Sequence, residues 1–270
     1  MIVITDTNDK RIEPYHSLRN KAESEQSKHH FIAEGEKVVK RILKSTIEIS
    51  SMFAAERYYT ENQELIDSRI PLNLQYIAGQ KVMNAIVGFR MHQGILVHAK
   101  TPPSAPLSSL GSIIVALNGI VDSENVGSIL RNCAAFGVDS FIADETTSSP
   151  WLRRAVRVSM GCIFQMKIHF SQSLAHTLQE LRANYGYTVV TAELDSRSIP
   201  LATLSVQQPL VLVFGSEGYG VQEEVLNASN HIVHIPISDS VDSLNVAATS
   251  AVFLNCLRDK FPLYYSHDKR

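Results

Sequence analysis

Asn125 and Arg131 in "NVGSILRN", Glu217 inside "VFGSEGYGV", and Ser243 with Asn245 in "DSVDSLNVA" are the polar residues whose types and placement could do chemistry. An arginine fork can hold a phosphate or steady a developing oxyanion, a carboxylate can accept a proton or hold a cation, and amides and hydroxyls can orient both. The glycine stretch follows the apolar run "PLVLVF" and precedes "VQEEVLNAS", which is the strand, glycine turn and helix of a phosphate-binding loop. Its chemistry disagrees with phosphate. Gly215, Gly218 and Gly220 do not follow the GxGxxG order, no Gly-Lys-Ser/Thr follows, and Glu217 would repel a pyrophosphate aimed at the same amides. A ligand without phosphate fits better, and a plain turn joining strand to helix is the alternative.

The elements that must position these residues are legible in the apolar periodicity. From Ser112 onward "SIIVALNGI", "SFIADE", "FQMKIHF", "YTVVTAEL", "PLVLVFG" and "HIVHIPI" look like strands. The intervening segments "NVGSILRNCAAFG", "WLRRAVRVSMG", "SLAHTLQELRANYG", a run from Val221 and a last run from Ser243 look like helices. Such alternation predicts a mostly parallel sheet covered on both faces, with ligands at the carboxyl ends of its strands. The turns after Asn118, Phe214 and Ile237 are therefore the places to search. In the first helix Val126, Ile129, Leu130, Cys133 and Phe136 form a core stripe, which leaves Ser128, Arg131 and Asn132 on the opposite side. From position alone, Arg131 could be merely solvated, Asn125 could cap or shape the turn, and Ser243 stands where an N-cap is expected.

The stretch "KTPPSAPLSSLGS" reads as a linker, so the expected organisation is an extension over 1–30, a small α/β domain over 31–100, a linker over 101–112 and a larger domain over 113–270. In the small domain "HFIAEG", "EISSMF", "LNLQYIA" and "GILVHA" look like strands, with "EKVVKRILKS" and "QKVMNAIVG" as helices. The first 30 residues are polar, "YHSLRNKAESEQSKHH" at best a solvated helix, and are expected to carry little core. Cys133, Cys162 and Cys256 are widely spaced in apolar segments, which suggests neither a disulfide framework nor a metal site. With no basic-then-apolar start and no apolar run of membrane-spanning length, the expectation is a soluble cytoplasmic protein without membrane contact. A formal charge of −2 argues mildly against nucleic acid, but the charges are segregated. Between Glu145 and Glu180 the charged residues are Arg153, Arg154, Arg157 and Lys167, so a basic face is expected there.

Together the three strand-end segments resemble the signature motifs of the SpoU/TrmH-type RNA ribose 2′-O-methyltransferases of the SPOUT superfamily, over about Ser112 to Leu257. Asn125 and Arg131 match the first motif. Gly215, Glu217 and Gly220 match the second, and Ile235, Pro236, Ser243, Leu244 and Asn245 the third. "RRAVRVSMGCIF" is similar to the family's basic stretch between motifs, through Arg154, Arg157, Ser159 and Gly161. Where the family commonly has Asp-Pro this chain has Asp122-Ser123, which loses a rigid turn residue and keeps the chemical positions.

The resemblance implies an α/β methyltransferase domain with a mostly parallel sheet and a trefoil knot, an exception to the rule that chains do not thread loops. It also implies S-adenosylmethionine as cofactor, structured rRNA or tRNA as substrate, and a homodimer without metal. The implied catalytic set is Arg131, Asn125, Glu217, Ser243 and Asn245. Cofactor contacts fall to Gly215, Ile235 and Leu244, with Thr191 and Ala192 after "YTVV", and RNA contacts to Arg153, Arg154 and Arg157. S-adenosylmethionine is a cation without phosphate, which gives an acidic glycine loop a use. The amino-terminal α/β unit resembles the family's ribosomal-protein-like substrate-binding domain. Two other classes stay open: a non-catalytic RNA-binding relative of the same fold, and a nucleotide-dependent α/β enzyme, which the glycine order disfavours.

Overall fold

The computed structural model describes residues 1–16, 18, 29–90, 94–238 and 240–260, the side chains of 259 and 260 excepted. The helix read over "YHSLRNKAESEQSKHH" lies largely outside these residues. The chain begins with β1 (Ile2–Val3), β2 (His30–Glu34), α1 (Glu36–Leu43), β3 (Ile49–Ala54), α2 (Glu56–Asp67), β4 (Gln75–Ile77), α3 (Gln80–Val87) and β5 (Ile95–Lys100). It continues with β6 (Ile113–Asn118), α4 (Ser123–Ala135), β7 (Ser140–Ala143), α5 (Arg153–Val158), β8 (Lys167–Phe170) and α6 (Leu174–Tyr185). The last elements are β9 (Thr188–Ala192), β10 (Ile199–Pro200), β11 (Leu210–Gly215), α7 (Glu223–Asn227), β12 (His231–His234) and α8 (Val246–Lys260).

These elements form two compact units. The first holds Met1–Pro102 together with Trp151–Phe164, and the second holds Pro103–Pro150 and the chain from Gln165. Unit 1 is built on a mixed five-stranded sheet of order β1-β4-β3-β5-β2, with β5 antiparallel to both its neighbours. The expectation that the leading residues carry little core does not hold. Ile4, Ile12, Tyr15 and Leu18 are buried in the cluster formed by Ile32, Phe53, Tyr76, Met83 and Leu96. Asp9 starts a 3-10 turn over Lys10–Tyr15 by accepting a hydrogen bond from Arg11 N at 2.9 Å. That turn lays the Tyr15 ring 5.4 Å from Phe53 and its hydroxyl 2.7 Å from Ser51 Oγ. Burial pushes the Tyr15 phenol far above its usual range, as enclosure in an apolar core does to any group that must ionise.

The other surprise in unit 1 is Trp151–Phe164, which the sequence assigns to the larger domain. Trp151, Ile163 and Phe164 are buried, and the Phe31 ring packs 4.8 Å from Trp151 and 5.9 Å from Phe164. Arg153 is ion-paired with Glu34 and lies over the Phe89 ring at 5.1 Å, while Arg41 donates to Met160 O at 2.7 Å.

Unit 2 carries a seven-stranded sheet of order β10-β12-β9-β11-β6-β7-β8 whose neighbouring strands are parallel. Every residue of β6, "IIVALN", is buried, as is each residue of β11 before Gly215, the mark of strands covered on both faces. β11 follows β9 in the chain yet lies between β6 and β9. The predicted stripe of α4 packs inward, with Val126, Ile129, Leu130 and Cys133 fully buried. The segment read as a linker docks on this unit from Ser104, where Ala105 N donates to Ile168 O at 2.7 Å and Leu110 enters the core. No helix among the described residues is long and apolar enough to cross a membrane.

If the leading residues are structural, truncating Tyr15 must cost as much as emptying any core position. Tyr15→Ala is expected to destabilise unit 1 by about 3–5 kcal/mol and Tyr15→Phe by only about 1 kcal/mol, measured by urea denaturation. Equal, negligible losses for both would return these residues to a peripheral role.

Candidate active site

The turns after β6 and β11 and the start of α8 converge on one carboxylate. Glu217 Oε1 accepts hydrogen bonds from Asn125 Nδ2 at 3.1 Å, Asn245 Nδ2 at 2.8 Å and the Val246 backbone N–H at 3.3 Å. Asn245 Nδ2 also donates to Asn125 Oδ1 at 3.0 Å, closing a triangle whose corners come from three separated segments. Asn245 is also the cap of α8, because its Oδ1 accepts from Ala247 N at 2.9 Å and Ala248 N at 3.3 Å. The expectation that Ser243 caps this helix is therefore corrected by two residues. Asn125 does not cap α4 either. Asp122 does, accepting from Glu124 N at 2.8 Å, which leaves the buried Asn125 amide free to face Glu217.

The glycine loop is held by its own backbone. Ser216 and Gly220 exchange both backbone hydrogen bonds, at 3.1 and 2.9 Å, folding the loop back on itself. A Cβ on Gly215 would lie 2.5 Å from the Gly220 carbonyl carbon, so only glycine permits that approach. Gly220 adopts φ +65°, and a Cβ there would meet Glu193 Oε2 at 2.6 Å. Gly218 has neither constraint, with nothing within 4 Å of its missing Cβ. The turn after Asn118 is fixed separately. Asn118 donates to Asp144 Oδ2 at 2.7 Å and accepts from Gln222 N at 2.8 Å, and the buried Asp144 also takes Thr147 N at 2.7 Å.

Beside this junction the ends of β9, β11 and β12 and the start of α8 enclose a cavity of about 700 Å³. Of the residues implied to touch a cofactor, Ala192, Gly215, Ile235 and Leu244 line it. Thr191 does not; it is fully buried with its hydroxyl 2.6 Å from Ser229 Oγ. Ser243 and Glu217 are in the lining, while Asn125, Asn245 and Arg131 are outside it. Phe214 and Phe253 meet edge to face at 5.6 Å and close one wall. Glu193, Glu217 and Asp242 give the lining three carboxylates, and no lysine or arginine belongs to it. A cavity with this lining suits a cationic, partly apolar ligand and opposes a phosphate.

Arg131 is exposed on α4 and has no hydrogen bond or ion pair to any described residue. Its neighbour Asn132 donates to Ala247 O at 2.8 Å and Ser250 Oγ at 3.0 Å, which locks α4 against α8. The basic residues Arg153, Arg154 and Arg157 belong to unit 1. Arg154 and Arg157 are exposed, whereas Arg153 is committed to Glu34, from which Arg157 Nη1 is 3.8 Å away.

One site residue escaped the sequence reading. Glu193 lines the cavity and its Oε2 accepts from Val221 N at 2.8 Å, tying the end of β9 to the end of the glycine loop. Its signal was present, as the first charged side chain after "YTVVTA" in a sheet whose strand ends carry the site.

The two testable glycines differ sharply. Gly215→Ala forces a backbone contact apart and is expected to lower stability by about 1–3 kcal/mol, whereas Gly218→Ala should stay within about 0.5 kcal/mol of the parent in the same thermal melt. Equal tolerance at both would show that the loop is not closed as described.

Comparison with known proteins agrees with this architecture. The model of the SpoU rRNA Methylase family matches residues 112–255. A Mycobacterium bovis protein named as an uncharacterized tRNA/rRNA methyltransferase is 30% identical over 258 residues, covering 92% of this chain and 88% of that one. The 23S rRNA (guanosine-2′-O-)-methyltransferase RlmB of Acinetobacter baylyi is 24% identical over 185 residues, 66% of this chain and 75% of that one. The AdoMet-bound rRNA methyltransferase of Sinorhizobium meliloti shares the fold with a TM-score of 0.82 at 23% identity, over 96% of this chain and 97% of the other. Three motifs joined at Glu217, a parallel sheet with its cavity at the strand ends, and a family match over most of unit 2 lead to one conclusion: the chain belongs to the SpoU family of RNA methyltransferases.

Proposed function

We propose that this chain transfers a methyl group from S-adenosylmethionine to a ribose 2′-hydroxyl of structured ribosomal or transfer RNA, working as a homodimer. The observation that carries the proposal is the cavity lining, with carboxylates from Glu193, Glu217 and Asp242 and no lysine or arginine. The 2′-hydroxyl as acceptor is supported by the motif residues and by the ribose specificity in the name of the Acinetobacter baylyi relative. The trefoil threading and the substrate-binding role of unit 1 belong to the same proposal.

When bound, S-adenosylmethionine supplies an electrophilic methyl on a cationic sulfur. Gly215, Ile235 and Leu244 would hold the cofactor, largely through backbone and apolar surface, with Ala192 and Glu193 at the neighbouring strand end. The attacking hydroxyl is weakly acidic, so its proton must leave as the new bond forms and the emerging alkoxide must be steadied. Arg131, exposed and without a partner among the described residues, is assigned to grip the adjacent phosphate and that alkoxide. Glu217 Oε1 already accepts three hydrogen bonds, and we assign it to orienting Asn125 and Asn245. RNA contacts outside the cavity fall to Arg154 and Arg157, since Arg153 is held by Glu34. The outer side of α8, where Ala248 and Val252 are exposed, is the surface proposed for the second protomer.

Removing the guanidinium should lower kcat by about 10²–10³, the usual cost of one oxyanion donor, with KM for the cofactor unchanged. Arg131→Lys should fail nearly as badly as Arg131→Ala, because a point charge does not replace a planar fork. Mapping 2′-O-methyl groups across total RNA from a deletion strain and its parent tests the reaction itself. One missing methyl names the nucleotide. An unchanged map from a chain that still binds RNA selects the non-catalytic relative instead.

A further inference from the structure

Tyr219 is 98% exposed, a value far from those of the other exposed aromatic side chains among the described residues, Phe170 at 37% and Tyr185 at 38%. It sits at the tip of the glycine loop, two residues after Glu217. Its backbone is not loose: Tyr219 N donates to Ser216 Oγ at 3.1 Å, inside the turn that the Ser216–Gly220 pair closes. Ser216, Glu217 and Gly220 all line the cavity, and Tyr219 does not. A large aromatic face is thus held outward at the rim, by a backbone already ordered, and folding draws no burial from it.

We propose that Tyr219 is a stacking platform for an unpaired nucleobase of the RNA, placed next to the nucleotide that is methylated. The inference deepens the RNA reading above and rests on it. A ribose presented to the cavity brings its own base and its neighbours within one or two nucleotides of the rim. Unpaired bases are recognised chiefly by stacking on aromatic rings, and every base offers a face to do so. A rim held in place by its own hydrogen bonds loses little freedom when a base settles on it. Stacking needs the ring and not the hydroxyl, so Tyr219→Phe should behave as the parent.

The test uses the full-length protein, with total RNA from a deletion strain as methyl acceptor and tritiated S-adenosylmethionine as donor. Tyr219→Ala is expected to raise KM for RNA by about 5- to 150-fold, with cofactor affinity unchanged and Tyr219→Phe within about twofold of the parent. A second variant, Tyr219→Trp, adds an indole to a chain whose only other tryptophan, Trp151, is buried. Its fluorescence should be quenched by a single-stranded oligoribonucleotide, while the parent's is not. Methylated RNA without quenching, or a parental KM in Tyr219→Ala, overturns the stacking role and leaves the proposed reaction standing. Quenching without any methyl transfer does the reverse. A Tyr219→Ala protein that sediments as a smaller species than the parent also overturns the role, because the ring then belongs to a protein contact.

Discussion

The site depends on one acceptor atom. Glu217 Oε1 takes donors from α4, from the residue before α8 and from the first backbone N–H of α8, at 3.1, 2.8 and 3.3 Å. Asn125, Glu217 and the Asn245–Val246 pair come from three segments far apart in sequence, and one carboxylate oxygen joins them. A carboxylate is suited to the position because it offers several lone-pair directions on one small group, and charge-assisted bonds are the stronger kind. An amide at 217 would bring donors of its own among the donors already there. The acidic residue that first argued against phosphate is therefore also the one that assembles the site, and its value lies in accepting three hydrogen bonds at once.

The same junction explains why the glycine loop has so little freedom. The loop must deliver Glu217 to α4 and α8 and still return to β9 through Glu193, whose Oε2 accepts from Val221 N. It does so by folding back at Ser216 and Gly220, and the missing Cβ atoms at Gly215 and Gly220 make room for that fold. Gly218 and Tyr219 lie at the tip, outside the constraint. Two of the glycines are steric requirements and one is not, a distinction invisible in the spelling "GSEGYG".

What was legible in the sequence was whatever repeats with a short period. The six long strands of unit 2 and the core stripe of α4 follow from runs and spacings of apolar residues, which local physics writes directly into the chain. Features set by distant partners were not. Ile4, Ile12 and Tyr15 lie in a two-residue strand and a 3-10 turn, too short for any periodicity, yet they are buried. α2 was missed because its composition is polar and a non-helical residue at Asn62 breaks its pattern. Trp151–Phe164 reads as an ordinary helix between strands, and only the Phe31 ring and Glu34 reveal which unit it serves. Within the site, the apparent cap Ser243 lost to Asn245 because a cap is defined by where the backbone N–H groups point, and Ala247 and Ala248 point at Asn245.

The segregation of charge is the remaining clue to how two unlike ligands could share one chain. A net charge of −2 is a poor signature for a protein that handles RNA, because it averages regions with opposite tasks. The cavity of unit 2 carries three carboxylates and no lysine or arginine, while Arg131, Arg154 and Arg157 are exposed. A cationic cofactor favours a carboxylate-lined cavity, and a polyanion is repelled from it. Arg153 shows how such a pattern is kept selective, since its charge is spent inside unit 1 on Glu34 and Phe89. Of three arginines in one basic stretch, Arg153 is thus half-buried against Glu34, while Arg154 and Arg157 are exposed. That division follows from how closely each side chain approaches Glu34, with Arg153 ion-paired to it and Arg157 Nη1 3.8 Å away, and the order of residues along the chain does not reveal it.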